Sequence, residues 1–425
     1  MSDNIKRRPK KAQVVSLIVI GIILAGVFFY PLSSYQTIRV NGNAGIAIAR
    51  PPANEIRKLD MLPVYDEKTP QNSFQVELIG ADASGLDLTG RLRDLSYASF
   101  DSKTIWPASL PAEFNPALIM ETGKNPGLNI RKLHQNGITG KGVGIAIFDE
   151  LLLTDHKEYK DNLKFYEEIH TTRGGGVSNH GSAVSSIAVG KSVGVAPDAN
   201  LYYIAVSNES PTVFRALTQS YLDLTYLAEA VDRIVDINKT LPQDQKIRVM
   251  SMSIGWKPDF RGYKEIDAAV NRAKSEGILV VSTVMSNYFG VDLAGLERAP
   301  QKDPDKLDSY QLGLFLQPFY YKNLDKFDIQ KTLWVPMDSR STASRTGPDD
   351  YVFFRSGGLS WTAPYLAGLY ALCCQVKPDI TPEQFLAEAI ATGDIIQFAK
   401  DGQSYQLGTV PNPERLIALL QGKAD

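Results

Sequence analysis

The sequence predicts a doubly wound α/β domain, a mostly parallel sheet with helices on both faces, preceded by an N-terminal transmembrane helix. Three observations carry that prediction. Short apolar runs alternate with longer helical stretches from Gly137 onward. The composition is that of an ordinary globular chain, with 44% apolar and 22% charged residues in 425. One uncharged apolar run, Val14 to Leu32, follows a basic cluster at the N-terminus.

Lys6, Arg7, Arg8, Lys10 and Lys11 form that cluster. The run behind it has close to the ~20 residues that a spanning helix needs. Basic residues on its N-terminal side place that end in the cytoplasm. Residues 1–13 therefore read as a cytoplasmic tail, and 14–32 as a signal-anchor helix in the lipid bilayer. The remainder would lie outside the cytoplasmic membrane, in a single-pass protein of the cell membrane. A cleaved signal peptide has a shorter apolar core, about 7–15 residues, and an A-x-A-like site; no clear one follows this run directly.

Residues 33–125 are punctuated by Pro51, Pro52, Pro63, Pro70, Pro107, Pro111 and Pro116, and read as a stalk or pro-region of no evident fold. The α/β domain occupies 126–425. Its apolar runs are Val143–Phe148, Leu201–Val206, Val249–Ile254 and Ile278–Val284, separated by helical stretches at Ala183–Val189, Tyr221–Asn238 and Lys264–Glu276. Continuous apolar runs of that length suit strands buried on both faces. Sites in such sheets lie beyond the carboxyl ends of the strands. That rule points to Asp149, Ser253 and Asn287, each of which ends or follows a run.

Several function classes drop out. A net charge of -2 offers no electrostatic surface for nucleic acid. Cys373 and Cys374 are adjacent, so their Cα atoms sit about 3.8 Å apart, closer than disulfide geometry prefers. They read as free thiols in a buried helix. Gly174–Gly176 lacks the Lys-Ser/Thr ending of a phosphate loop. No clustered carboxylates mark a metal site, and no cofactor is required.

A hydroxyl nucleophile needs a base within reach, a carboxylate to orient that base, and donors for the oxyanion. Asp149 ends the first apolar run. His180, one of only four histidines, stands at a loop-to-helix junction, and Gly181 beside it leaves room for another group. Ser360 follows Gly357-Gly358 and precedes the helical run Ala363–Val376, so its hydroxyl sits at a helix N-terminus. The order Asp, His, Ser is that of subtilisin.

At these residues the chain resembles the subtilase family. The segment Gly140-Lys141-Gly142-Val143-Gly144-Ile145-Ala146-Ile147-Phe148-Asp149 looks like the strand of the subtilase aspartate. His156 matches the non-catalytic histidine that follows it. Asn179-His180-Gly181-Ser182-Ala183-Val184 resembles the catalytic histidine segment, and Val193-Gly194-Val195-Ala196-Pro197 the segment after it. Met250-Ser251-Met252-Ser253-Ile254-Gly255 resembles the edge that pairs with substrate backbone. Val280-Val281-Ser282-Thr283-Val284-Met285-Ser286-Asn287 looks like the strand carrying the oxyanion asparagine. Gly358-Leu359-Ser360-Trp361-Thr362-Ala363-Pro364 resembles the serine segment.

The resemblance covers about residues 125–420 and implies a subtilisin-like serine endopeptidase acting on protein or peptide. It implies Asp149, His180 and Ser360 as the triad, Asn287 as the oxyanion donor, and Ser253, Ile254 and Gly255 as the substrate edge. Subtilases often bind calcium, but no calcium site is recognisable here. The chain departs from the family at Glu150-Leu151, Met285-Ser286, Ala183, Leu359 and Trp361. These departures touch specificity and rate and leave the triad in place. They keep open a catalytically weak or inactive subtilase that binds peptide or partner protein.

Overall fold

Gly144–Asp149 is buried at every position, and its side chains alternate between two cores. Ile145 and Ile147 face one, with Ala183, Val184 and Ile187 of the Asn179–Val189 helix and Leu366, Leu369 and Leu372 of Thr362–Val376. Ala146 and Phe148 face the other, with Leu227, Val231 and Ile234 of Thr225–Thr240 and Ile266 and Val270 of Tyr263–Ser275. The 3.6-residue spacing of those helical positions makes one apolar stripe per helix. Helices thus cover both faces of the sheet, as the sequence predicts.

The computed structural model describes residues 35–40, 45–46, 50–53, 56–209, 222–322, 329–400 and 402–423. The Val14–Leu32 run lies outside them. Among the described residues no helix is long and apolar enough to cross a membrane.

Among the described residues the central sheet has seven strands. Its main path runs Tyr35–Ile38, Leu163–Thr172, Asn200–Val206, Gly144–Asp149, Ile247–Met252, Leu279–Val281. The last five of these pair in parallel; Tyr35–Ile38 is antiparallel. Two further sheets are mixed. One orders Tyr310–Leu312, Asp292–Arg298, Thr332–Pro336, Gln403–Val410, Asp394–Lys400, and the other Arg340–Ala343, Tyr351–Phe354, Ala98–Asp101, Val76–Leu78.

One expected strand is shorter than its apolar run. Leu279–Val281 is an edge of the central sheet among the described residues, and its pairing with Ile247–Met252 ends at Val281. The chain turns instead, with Met285 N–H on Ser282 O at 3.3 Å and Asn287 N–H on Val284 O at 3.1 Å. Asn287 therefore sits inside the helical turn Ser286–Phe289.

The 33–125 stretch contributes to two of these sheets. Tyr35–Ile38 and Gly45–Ile46 flank Leu163–Thr172, and Ala98–Asp101 pairs with Tyr351–Phe354. A third apolar core joins Leu62, Val76, Leu78, Leu95 and Phe100 to Phe353. Arg50 forms an ion pair at 2.7 Å with Glu168, whose side chain is fully buried. Burial pushes the Glu168 carboxyl up, but the guanidinium, by hydrogen bond and charge, outweighs it and holds the group low.

Candidate active site

Asp149 is the last residue of its strand, and a rigid parallel ladder fixes where its carboxylate points. His180 enters at the second position of the Asn179–Val189 helix. Ser178 caps that helix by accepting His180 N–H at 2.9 Å. Ser178 N–H also donates to Leu151 O at 2.8 Å, tying helix start to strand end. The two side chains meet: His180 Nδ1 lies 2.8 and 2.9 Å from the Asp149 carboxylate oxygens. The tautomer with hydrogen on Nδ1 satisfies both and leaves Nε2 as the free acceptor.

Burial alone would push the His180 ring down. The Asp149 carboxylate, by charge and by hydrogen bond, and the nearby Glu150 outweigh it, so the ring is held above the ordinary histidine value. The space expected beside Gly181 holds Tyr203, whose hydroxyl donates to Glu150 O; a Cβ at Gly181 would collide with that hydroxyl.

Ser360 lies in the single turn Leu359–Trp361 that leads into Thr362–Val376. Gly358 has φ +64°, a left-handed conformation that favours glycine. A side chain at Gly357 would strike Trp361, which is buried against Phe354 and 5.3 Å from the His180 ring. Ser253 Oγ donates to Ser360 O at 2.8 Å, so the strand-end serine grips the backbone of the proposed nucleophile. Among the described residues no hydrogen bond joins the Ser360 hydroxyl to His180. Such bonds are often long without substrate.

A cleft of about 420 Å³ opens beside Asp149 and His180, lined by Glu150, Val206, Ser253 and Ile254 among others; Ser360 does not line it. Gly255 follows, half-buried, with Thr283 against it. Asn287 is exposed on its turn, and among the described residues no hydrogen bond joins its side chain to Ser360 or His180. His156 is buried, with Nε2 at 2.8 Å from Asp350 O and Nδ1 accepting Glu158 N–H, so its bonds are structural. Cys373 and Cys374 are free and buried, and burial pushes both thiols up. Among the described residues no group of three or more His, Cys, Asp or Glu side chains could hold a metal ion.

Asp149 and His180 form an oriented carboxylate–histidine pair at the end of a parallel strand, and Trp361, next to Ser360, lies against the His180 ring. Residues 140–284 match the model of the subtilase family, peptidase S8. Over that stretch, which holds Asp149 and His180 and ends before Asn287 and Ser360, the chain is similar to subtilase-family peptidases.

The subtilisin-like protease PopC of Myxococcus xanthus (strain DK1622) is 25% identical over 278 residues, covering 58% of this chain and 54% of that protein. The serine protease AprX of Bacillus subtilis (strain 168) is 26% identical over 315 residues, 66% of this chain and 68% of that one. The chain thus spans about half the length of PopC and two thirds of AprX. Among solved structures, the prenylagaramide maturation protease PagA aligns at TM-score 0.47 and 18% identity, over 69% of this chain and 99% of that one. The protease domain of PatA aligns at 0.45 and 17%, over 67% and 98%.

Sequence reading missed one group beside the site: the buried charges Glu297, Asp338 and Arg355. The one local signal was Arg355, a charge directly after the apolar run Tyr351–Phe354.

Proposed function

We propose that this chain cleaves peptide bonds through Asp149, His180 and Ser360, with Asn287 as oxyanion donor. The single observation that carries this reading is the Asp149–His180 pair, with Nε2 left free beside the Ser360 turn. His180 Nε2 takes the proton of Ser360 Oγ as the oxygen adds to the scissile carbonyl. The tetrahedral oxyanion is met by the Asn287 amide and the Ser360 N–H. His180 then gives the proton to the leaving amine as the C–N bond breaks, and water resolves the acyl-enzyme by the same steps in reverse. Substrate lies extended along Ser253, Ile254 and Gly255 by strand addition. None of these steps needs a cofactor.

We place this activity outside the cytoplasmic membrane, with Val14–Leu32 as a single anchor and the N-terminus cytoplasmic. In cells with any outer barrier removed, added protease should reach residues beyond about position 40, the first stretch clear of a spanning helix. Protection of that region until the membrane is lysed would reverse the orientation.

Fluorophosphonate labelling of the purified protein tests the nucleophile. Wild type should label, and Ser360→Ala should not, with folding intact. Equal labelling of the variant would sink the assignment. Peptide binding with neither labelling nor cleavage would make the chain a binding relic.

A further inference from the structure

Buried charge supports the Ser360 turn from below, and the hydrolytic steps do not use it. Arg355 follows the Tyr351–Phe354 strand and opens the loop to Ser360. Its Nη2 donates to Glu297 Oε2 at 2.8 Å, with both side chains almost fully buried. Asp338, 1% exposed, accepts Gly357 N–H at 2.8 Å and Leu314 N–H at 3.2 Å. Gly357 is the middle of the Arg355–Ser360 loop, so that carboxylate holds the backbone that presents the nucleophile.

The N-terminal stretch closes the remaining side. Ser96 O accepts Arg355 Nε–H at 3.1 Å, Ser99 Oγ accepts Arg355 N–H at 3.0 Å, and the guanidinium lies 5.2 Å from the Tyr97 ring centre. Burial pushes Asp338 up to about 7, against the pull of Arg355 and with Glu297 adding to it. Keeping a carboxylate there costs stability. A parallel sheet does not require one; Asp338 binds the N–H that opens the 3₁₀ turn Leu314–Leu316 and the loop N–H of Gly357.

We infer that Asp338, Arg355 and Glu297 form a positioning group for Ser360, completed by Ser96 and Ser99. On this inference the 33–125 stretch is a working part of the enzyme, not an inhibitory pro-region that must be shed. Only the kinetic consequence rests on the peptidase reading above; the backbone consequence does not.

Hydrogen exchange on the full chain reads the backbone directly. Asp338→Ala should raise exchange at Gly357–Trp361 by about tenfold, the size of one lost net hydrogen bond, while Gly144–Asp149 stays protected. Asp338→Asn keeps an acceptor oxygen for Gly357 N–H and should restore most of that protection. On a peptide that wild type cuts, Asp338→Ala should lower kcat on the order of 10²-fold with KM little changed, the scale of a misplaced reacting atom. Asp338→Asn should recover most of it.

Wild-type exchange at Gly357–Trp361 in a folded Asp338→Ala protein would overturn the inference. So would a loss confined to KM. Raised exchange in a chain that cuts nothing would uphold the positioning group and count against the peptidase reading instead. Ser99→Ala should give a smaller change at the same residues; no change there would remove the N-terminal stretch from the proposal.

Discussion

The two walls of the candidate site are built by different means. The Asp149–His180 wall is set by regular structure: one residue ends a strand with parallel neighbours on both sides, the other opens a capped helix. Backbone hydrogen bonds do the positioning there. The Ser360 wall is a turn between two elements, and no ladder reaches it. Its geometry is held by side chains: Ser253 on its carbonyl, Trp361 beneath it, and the buried Asp338–Arg355–Glu297 group behind it. Positioning by backbone is insensitive to distant substitutions. Positioning by buried charge is not, because each partner removed leaves another uncompensated.

The largest expected effect lies on the regular wall. Asp149→Asn should leave the fold unchanged and lower kcat by about 10⁴-fold, because the amide can donate to Nδ1 and so leave the hydrogen on Nε2, the wrong tautomer for a base. Steady-state hydrolysis of a peptide that wild type cuts measures it. A loss under about tenfold would mean that the sheet, not the carboxylate, orients His180. Next comes the docking of the N-terminal stretch. Arg50→Met strands Glu168 in the protein interior and should cost about 3–5 kcal/mol in urea unfolding. Since Glu168 is held low in the folded protein, its contribution is present above the ordinary glutamate range and is lost as pH falls through the folded value. The gap between wild type and variant should therefore close in acid. A gap that is small at pH 7 would show that the stretch docks by its strands alone.

The contrast between walls also explains what could be read in advance. Alternating runs and helices made the sheet, both helical layers and the strand-end position of Asp149 legible, because periodicity is a local signal. His180 was legible as a residue at a helix start. The Ser253–Ser360 bond was not, since it joins residues far apart in sequence. Nor was the role of 33–125: three of its strands, two to four residues long, find partners well over a hundred residues downstream. Asp338 sits between Met337 and Ser339 with no periodic neighbour to mark it. Asn287 was expected to follow a strand running to Val284; the strand stops at Val281 and Asn287 lies in the helical turn beyond it.

That turn makes Asn287 the sharpest test of the Ser360 wall. Asn287→Ala should lower kcat by about 10²–10³-fold with KM little changed, if its amide meets the oxyanion. Wild-type kcat would transfer that role to another donor, and the exposed position of Asn287 would then be its resting one.

The smallest effect concerns Glu150, which stands where subtilases usually carry a small hydroxyl residue. Its carboxylate is exposed, and it raises the His180 value together with the nearer Asp149. Catalysis needs the imidazole neutral, so activity rises as pH climbs through that raised value. Glu150→Gln removes one of the two charges holding the proton on the ring. The acidic limb of kcat/KM should move to lower pH, while the plateau at higher pH stays within about twofold. Because the group is exposed, added salt should reduce the difference between the two proteins. Asp149 lies inside the cleft and is almost fully buried, so salt should barely change its share. A limb that stays in place in Glu150→Gln would assign the whole effect to Asp149. A collapse of the plateau would mean that Glu150 touches substrate, and the two walls would then share the work of binding it.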